Sequence, residues 1–183
     1  GTHIYGPYLR SGFPTAPVGA NKGKNTIKIV TGDPVANAAS EATGDERLWR
    51  PVEAHCRKLG SRFRFLHVEG ITGAKAGALN WARSYVDPAA DLIAVVDADY
   101  HVSPGWLRAT VGYFTDPTVG FVQPPHAYRG WHGRRFVRWA NWEYSMFFAT
   151  GMVALQEHRA GITVGTLSVI RTHALDAAGG WAE

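Results

Sequence analysis

Residues 91–96 form an apolar run, Leu92-Ile93-Ala94-Val95-Val96 after Asp91, that stops abruptly at Asp97-Ala98-Asp99. An unbroken apolar run of this length reads as a strand buried on both faces, as in a parallel sheet; a half-exposed strand would alternate. A strand covered on both faces is typical of a parallel sheet with helices on either side of it. The two acids then fall beyond the strand's carboxyl end, where open α/β sheets bind ligands.

The rest of the chain supplies the layers. Residues 26–30 are a short strand candidate, and 31–44 stay ambiguous. From Asp45, the residues Leu48, Trp49, Val52, Cys56 and Leu59 recur at helical spacing, and Gly60 ends that helix. Residues 62–68 alternate as a strand, and 75–86 read as a helix closed by Asp87-Pro88. Pro104, with Ser103 as cap, opens a helix to about Phe114. Residues 119–123 read as a strand stopped by Pro124-Pro125, 134–159 as one long helix, 162–170 as a strand, and 174–178 as a short helix ended by Gly179-Gly180. Strand and helix alternate throughout, which predicts a mostly parallel central sheet with flanking helices. The first 25 residues are rich in Gly, Pro and Asn, lack periodicity and read as loop.

Composition narrows the partners. With 45% hydrophobic and 19% charged residues in 183, the chain suits one globular domain and excludes a disordered one. A net charge of +4 fits an anionic ligand or surface. No long Lys/Arg block singles out nucleic acid, which is not expected as a partner; Arg134, Arg135 and Arg138 read as a solvated helix face. The single cysteine, Cys56, excludes an internal disulfide and reads as a packing residue. No secretory leader is expected at the start. The uncharged stretch 144–156 is too short to span a bilayer and reads as a buried or interfacial helix. Nearby Trp139, Trp142, Phe147 and Phe148 suit core or membrane-interface packing, with a sugar-stacking wall as the alternative.

Two segments carry chemistry. Asp97 and Asp99 place two carboxylates on one turn, an arrangement relieved by a cation; Mn²⁺ or Mg²⁺ suits hard oxygen ligands and shares its shell with substrate phosphates. An Asx turn with a helix-capping acid is the alternative. The stretch Gly73-Ala74-Lys75-Ala76-Gly77-Ala78-Leu79-Asn80 opens a helix, where backbone N–H groups, the dipole and the Lys75 ammonium favour phosphate and Gly77 permits close approach. An ordinary capped surface helix with a solvated lysine is the alternative. Joined, the two describe a nucleotide-diphosphate site. His101, His126 and His132 lack metal-ligand spacing, and Ser168 lacks a hydrolase context. Glu143 reads as a polar anchor or helix ion pair, with an active-site rim as the alternative.

An ordered set of segments resembles the family 2 glycosyltransferases, and within them the bacterial cellulose-synthase-like enzymes: 47–56 (RLWRPVEAHC), 62–68 (RFRFLHV), 75–80 (KAGALN), 93–100 (IAVVDADY), 119–124 (VGFVQP), 141–144 with 147–148 (NWEY, FF), Gly165-Thr166, Ile170-Arg171 and 174–181 (ALDAAGGW). The resemblance implies the nucleotide-diphospho-sugar transferase fold of the A type. It implies inverting transfer from a nucleotide sugar, expected to be a UDP-sugar, to a growing glycan. Asp97 would lie near nucleotide and metal, Asp99 would ligate the metal, and Lys75 would contact the donor diphosphate. Gln123, Gly165 and Thr166 would line the sugar and acceptor side. The metal and Lys75 would stabilise the leaving diphosphate while a carboxylate deprotonates the acceptor.

The resemblance covers 45–183 as a core and leaves 1–44 poorly matched, with Ser40 where the family carries an early aspartate, so the chain is expected to be incomplete at both ends. The family's base lies a few residues past Gly-Gly-Trp, beyond Glu183, and no catalytic base is assigned within the chain. The acceptor motif and flanking membrane helices are missing too, so the isolated chain is expected to be inactive. The full-length protein would work at the cytoplasmic face of a bacterial inner membrane. A non-catalytic nucleotide-sugar-binding or regulatory module, an inactive gene fragment and a nucleotidyltransferase are the rivals.

Overall fold

The computed structural model describes residues 29–31, 46–61, 63–68, 70–97 and 100–182 of the 183-residue chain. The expectations for Ser40, for most of 1–44, and for Arg62, Asp99 and Glu183 lie outside these residues. The described chain contains β1 (Ile29–Thr31), α1 (Glu46–Leu59), β2 (Phe63–Phe65), α2 (Ala74–Arg83), β3 (Leu92–Val95), α3 (Trp106–Val111), β4 (Phe121–Val122), α4 (Arg135–Met146), α5 (Met152–Glu157), β5 (Ser168–Arg171) and α6 (Thr172–Ala177). It divides into two compact units, one including Val18–Ile93, Asp97–Tyr100 and Arg171–Glu183, the other including Ala94–Val96 and His101–Ile170.

In the first unit, β1 and β2 pair in parallel, with Ile29 opposite Phe63 and Thr31 opposite Phe65. Parallel neighbours need a crossover, and α1 lies between them in sequence. Gly60 ends α1 at a φ of 91°, a left-handed conformation that suits glycine. The apolar stripe of α1 is only partly covered: Cys56 is buried, whereas Val52 and Leu59 are exposed.

Helix α2 holds this unit's C-terminal segment. The Asn80 side-chain amide donates to the Trp181 carbonyl at 2.8 Å, and its Oδ1 accepts the Trp181 N–H at 2.9 Å. One side chain thus replaces both partners that a neighbouring strand would give to that backbone. Three positions further along α2, the Arg83 guanidinium pairs with Asp176 on α6. Gly180 completes the clasp: its φ is 96°, and a Cβ there would lie 2.6 Å from Asn80 Oδ1. The start of α6 is tied down as well, with the Thr172 N–H donating to the Asp91 carbonyl at 2.9 Å and its hydroxyl to the Ala90 carbonyl at 2.6 Å.

A second sheet has three strands in the order β3-β5-β4. The central strand β5 is its core: Val169 is 1% exposed, and Ser168 and Ile170 are buried. The expected mostly parallel sheet is realised as the parallel β1–β2 pair and a second sheet in which β4 runs antiparallel to β5, Phe121 facing Ile170. The expected strand over 162–170 shrinks to Ser168–Arg171 because Gly165 (φ 85°) and Leu167 (φ 52°) are left-handed and interrupt an extended backbone. The expected Ser103 cap is replaced by a turn in which the Trp106 N–H donates to the Ser103 carbonyl at 3.0 Å, and α3 starts after Gly105. The long helix expected over 134–159 is present as α4 and α5 joined by a π-helical stretch, Phe147–Gly151. That stretch ends in Gly151, a weak helix former.

Two substitutions test this packing in urea denaturation. Gly179→Ala meets open space at a φ of 82° and should cost about 1 kcal/mol of backbone strain. Gly180→Ala must also displace Asn80 and should cost about 2–3 kcal/mol, the excess shrinking in an Asn80→Ala background. Equal costs at the two glycines would refute the clasp. Val169→Ala should cost about 2 kcal/mol or more through the cavity it leaves.

Candidate functional site

Lys75 is the second residue of α2, and Asp97 follows β3 by two positions. The Lys75 Nζ donates to Asp97 Oδ1 at 2.5 Å. Both belong to the same compact unit. The entry to α2 is tightly wound: Gly73 (φ 78°) and Ala74 (φ 49°) are both left-handed, and the Gly77 N–H reaches back to the Gly73 carbonyl at 2.9 Å. The turn sets Lys75 at the positive end of the helix dipole, and Gly77 is buried within α2. On the other side, the Asp97 carbonyl accepts the Tyr100 N–H at 3.1 Å.

The two segments singled out in the sequence therefore converge, as the Lys75 ammonium and the Asp97 carboxylate meet. About a third of each side chain stays exposed, 30% for Lys75 and 36% for Asp97. A pair that wet is worth at most about 1 kcal/mol. An arriving anion and cation can therefore part the two cheaply, each group keeping a partner of opposite charge.

Gln123, Gly165 and Thr166 come together in the other unit. The Gln123 amide donates to the Thr166 carbonyl at 3.1 Å, and its Oε1 accepts the Val164 N–H at 3.0 Å. The same nitrogen lies 3.1 Å from the Pro124 carbonyl and 3.2 Å from His126 Nε2. Gln123 thus braces the segment after β4 against the one before β5. Thr166 is buried, and Gly165 takes a conformation that favours glycine.

Among the described residues, no group of three or more His, Cys, Asp or Glu side chains is placed to hold a metal. Of the three histidines weighed, His126 is buried with its ring 4.9 Å from that of Phe148, whereas His101 and His132 are exposed, His101 beside the Arg129 guanidinium and His132 stacked on Trp131. Asp97 is the described carboxylate at the site, and Asp99 lies outside the described residues. A hard divalent cation needs only one or two carboxylates when phosphate and water complete its shell, so Asp97, with Asp99 following it in sequence, fits that donor chemistry.

Sequence reasoning did not single out Asn80. An amide on a helix reads as a surface residue, and its partner lies 101 residues away. The available signal was the pairing of an Asn on the Lys75 helix with a Gly-Gly-Trp whose second glycine has no room for a side chain.

Comparisons with known proteins identify the family. Residues 43–179, more than half of the chain, match the family model described as glycosyl transferase family 2. The beta-monoglucosyldiacylglycerol synthase of Synechocystis sp. (strain ATCC 27184 / PCC 6803 / Kazusa) is 31% identical over 114 residues, which cover 62% of this chain and 23% of that protein. This chain therefore spans well under two thirds of that relative's length. The match over residues 43–179 makes the chain a member of glycosyltransferase family 2, with the nucleotide-diphospho-sugar transferase fold.

Proposed function

We propose that the chain is the donor-binding core of a cellulose-synthase-like β-glycan synthase. In this reading it supports inverting, metal-dependent transfer from a UDP-sugar to a growing polysaccharide at the cytoplasmic face of a bacterial inner membrane. The observation that carries the reading is the contact between Lys75 and Asp97. Lys75 exchanges Asp97 for the donor's diphosphate, and its ammonium, with the α2 dipole behind it, stabilises the negative charge that grows as the nucleotide leaves. Asp97 and Asp99 hold Mn²⁺ or Mg²⁺, which when bound supplies Lewis-acid stabilisation of that same diphosphate. Gln123, Gly165 and Thr166 serve the sugar and acceptor side, with Gln123 keeping the 164–166 backbone in place. No residue of this chain is assigned the base that deprotonates the acceptor.

A second reading concerns the acceptor alone. The Synechocystis relative is named for making a glucosylated diacylglycerol. That similarity favours a lipid acceptor over a polysaccharide, with the donor site unchanged. With the full-length protein and radiolabelled donor, product that partitions into chloroform supports the lipid acceptor, and water-soluble or insoluble polymer supports the glycan.

Calorimetric titration of UDP, with and without Mn²⁺, tests the donor site. Lys75→Ala should weaken UDP binding about tenfold or more, the scale of one charge-assisted contact to phosphate, and leave uridine binding unchanged. Asp97→Ala and Asp99→Ala should each abolish the Mn²⁺ enhancement. UDP binding no tighter than uridine, and indifferent to Mn²⁺, would overturn the assignment.

A further inference from the structure

Helix α4 is apolar on two opposite sides, and only one of them is packed. At about 100° per residue, Val137, Asn141, Tyr144 and Phe148 share one face. Asn141 and Phe148 are buried there, the Asn141 Oδ1 accepts the Tyr128 N–H at 2.9 Å, and the Tyr144 ring meets that of Tyr128 edge-on at 5.1 Å. Phe136, Trp139, Trp142 and Met146 line the opposite face. They are exposed by 78%, 63%, 58% and 62%, among the most exposed large apolar side chains described. A core helix does not place two tryptophans, a phenylalanine and a methionine in water along one stripe.

The charge around this stripe says what covers it. Arg134, Arg135 and Arg138 are exposed at the start of α4, against the single acid Glu143 along the same helix. The Arg135 guanidinium lies over the Trp139 ring, 5.6 Å from its centroid, so cation and indole form one amphipathic unit. Indoles with arginines beside an apolar stripe match the boundary between lipid headgroups and acyl chains, where the ring body sits in the apolar layer and the charge reaches phosphate. A second copy of this chain would meet the face with the same excess of positive charge. Among the described residues no helix is long and apolar enough to cross a membrane, so contact through this face lies in the plane of the surface.

We propose that the Phe136–Trp139–Trp142–Met146 face of α4 docks flat on an anionic phospholipid surface, with Arg134, Arg135 and Arg138 at the headgroups. The inference rests on exposure and charge in this helix and is independent of the donor chemistry at Lys75 and Asp97; UDP titration reads one and vesicle binding the other. The test is co-sedimentation of the chain with vesicles of phosphatidylcholine alone or of equimolar phosphatidylcholine and phosphatidylglycerol. The chain should bind the anionic vesicles and bind the neutral ones at least tenfold more weakly. Trp139→Ser with Trp142→Ser should lower partitioning tenfold or more. Arg134→Gln with Arg138→Gln should lower it about fivefold per arginine on anionic vesicles alone. All four positions are exposed, so circular dichroism and the urea midpoint should not change, and a loss of binding is then a loss of contact. Equal binding by wild type and the tryptophan variant overturns the proposal. So does the absence of vesicle binding together with self-association that the tryptophan variant abolishes.

Discussion

The donor-side reading depends on an ammonium held 2.5 Å from a carboxylate at the start of a helix. Neither group is buried deeply enough for the pair to be a stability device, so its value is as a poised pair of opposite charges. The helix that carries the lysine also clasps Trp181 through Asn80, five residues further on. One helix therefore sets both the Lys75 ammonium and the path of the chain at Gly-Gly-Trp. That coupling gives a physical reason for Lys75, Asn80 and Gly180 to belong to one design.

Much of this was legible in the sequence. The apolar run before Asp97 marked a strand, Leu92–Val95, but not one covered on both faces: it is an edge strand in which Val95 is buried while Ala94 and Val96 are exposed. The Gly73-to-Asn80 stretch marked the helix that carries Lys75. Strand lengths were overread where backbone conformation overrides side-chain pattern: residues 162–167 are apolar enough for a strand, but Gly165 and Leu167 turn the chain into left-handed geometry. The antiparallel β4–β5 pair was equally hidden, because strand direction is set by connections and neighbours rather than by composition. The Asn80 clasp joins residues far apart in sequence, and no periodicity marks it. Gln123, expected to line the sugar and acceptor side, also engages the backbone at 164 and 166, a contact that no local pattern marks.

The long helix shows where pattern alone misleads. Its aromatic residues were legible, and a choice between core and interface was on the table, but composition does not say which face is covered. The structure divides them: Tyr144 and Phe148 pack among His126 and Tyr128, while Trp139 and Trp142 stand in solvent.

The central claim, that Lys75 and Asp97 act on one bound diphosphate, is tested most directly by a double-mutant cycle of Lys75→Met and Asp97→Asn read as UDP affinity in saturating Mn²⁺. Groups sharing a ligand in this way should be non-additive, with a coupling of about 1 kcal/mol or more. Additive losses within about 0.3 kcal/mol would mean that the two residues act independently and would contradict the account.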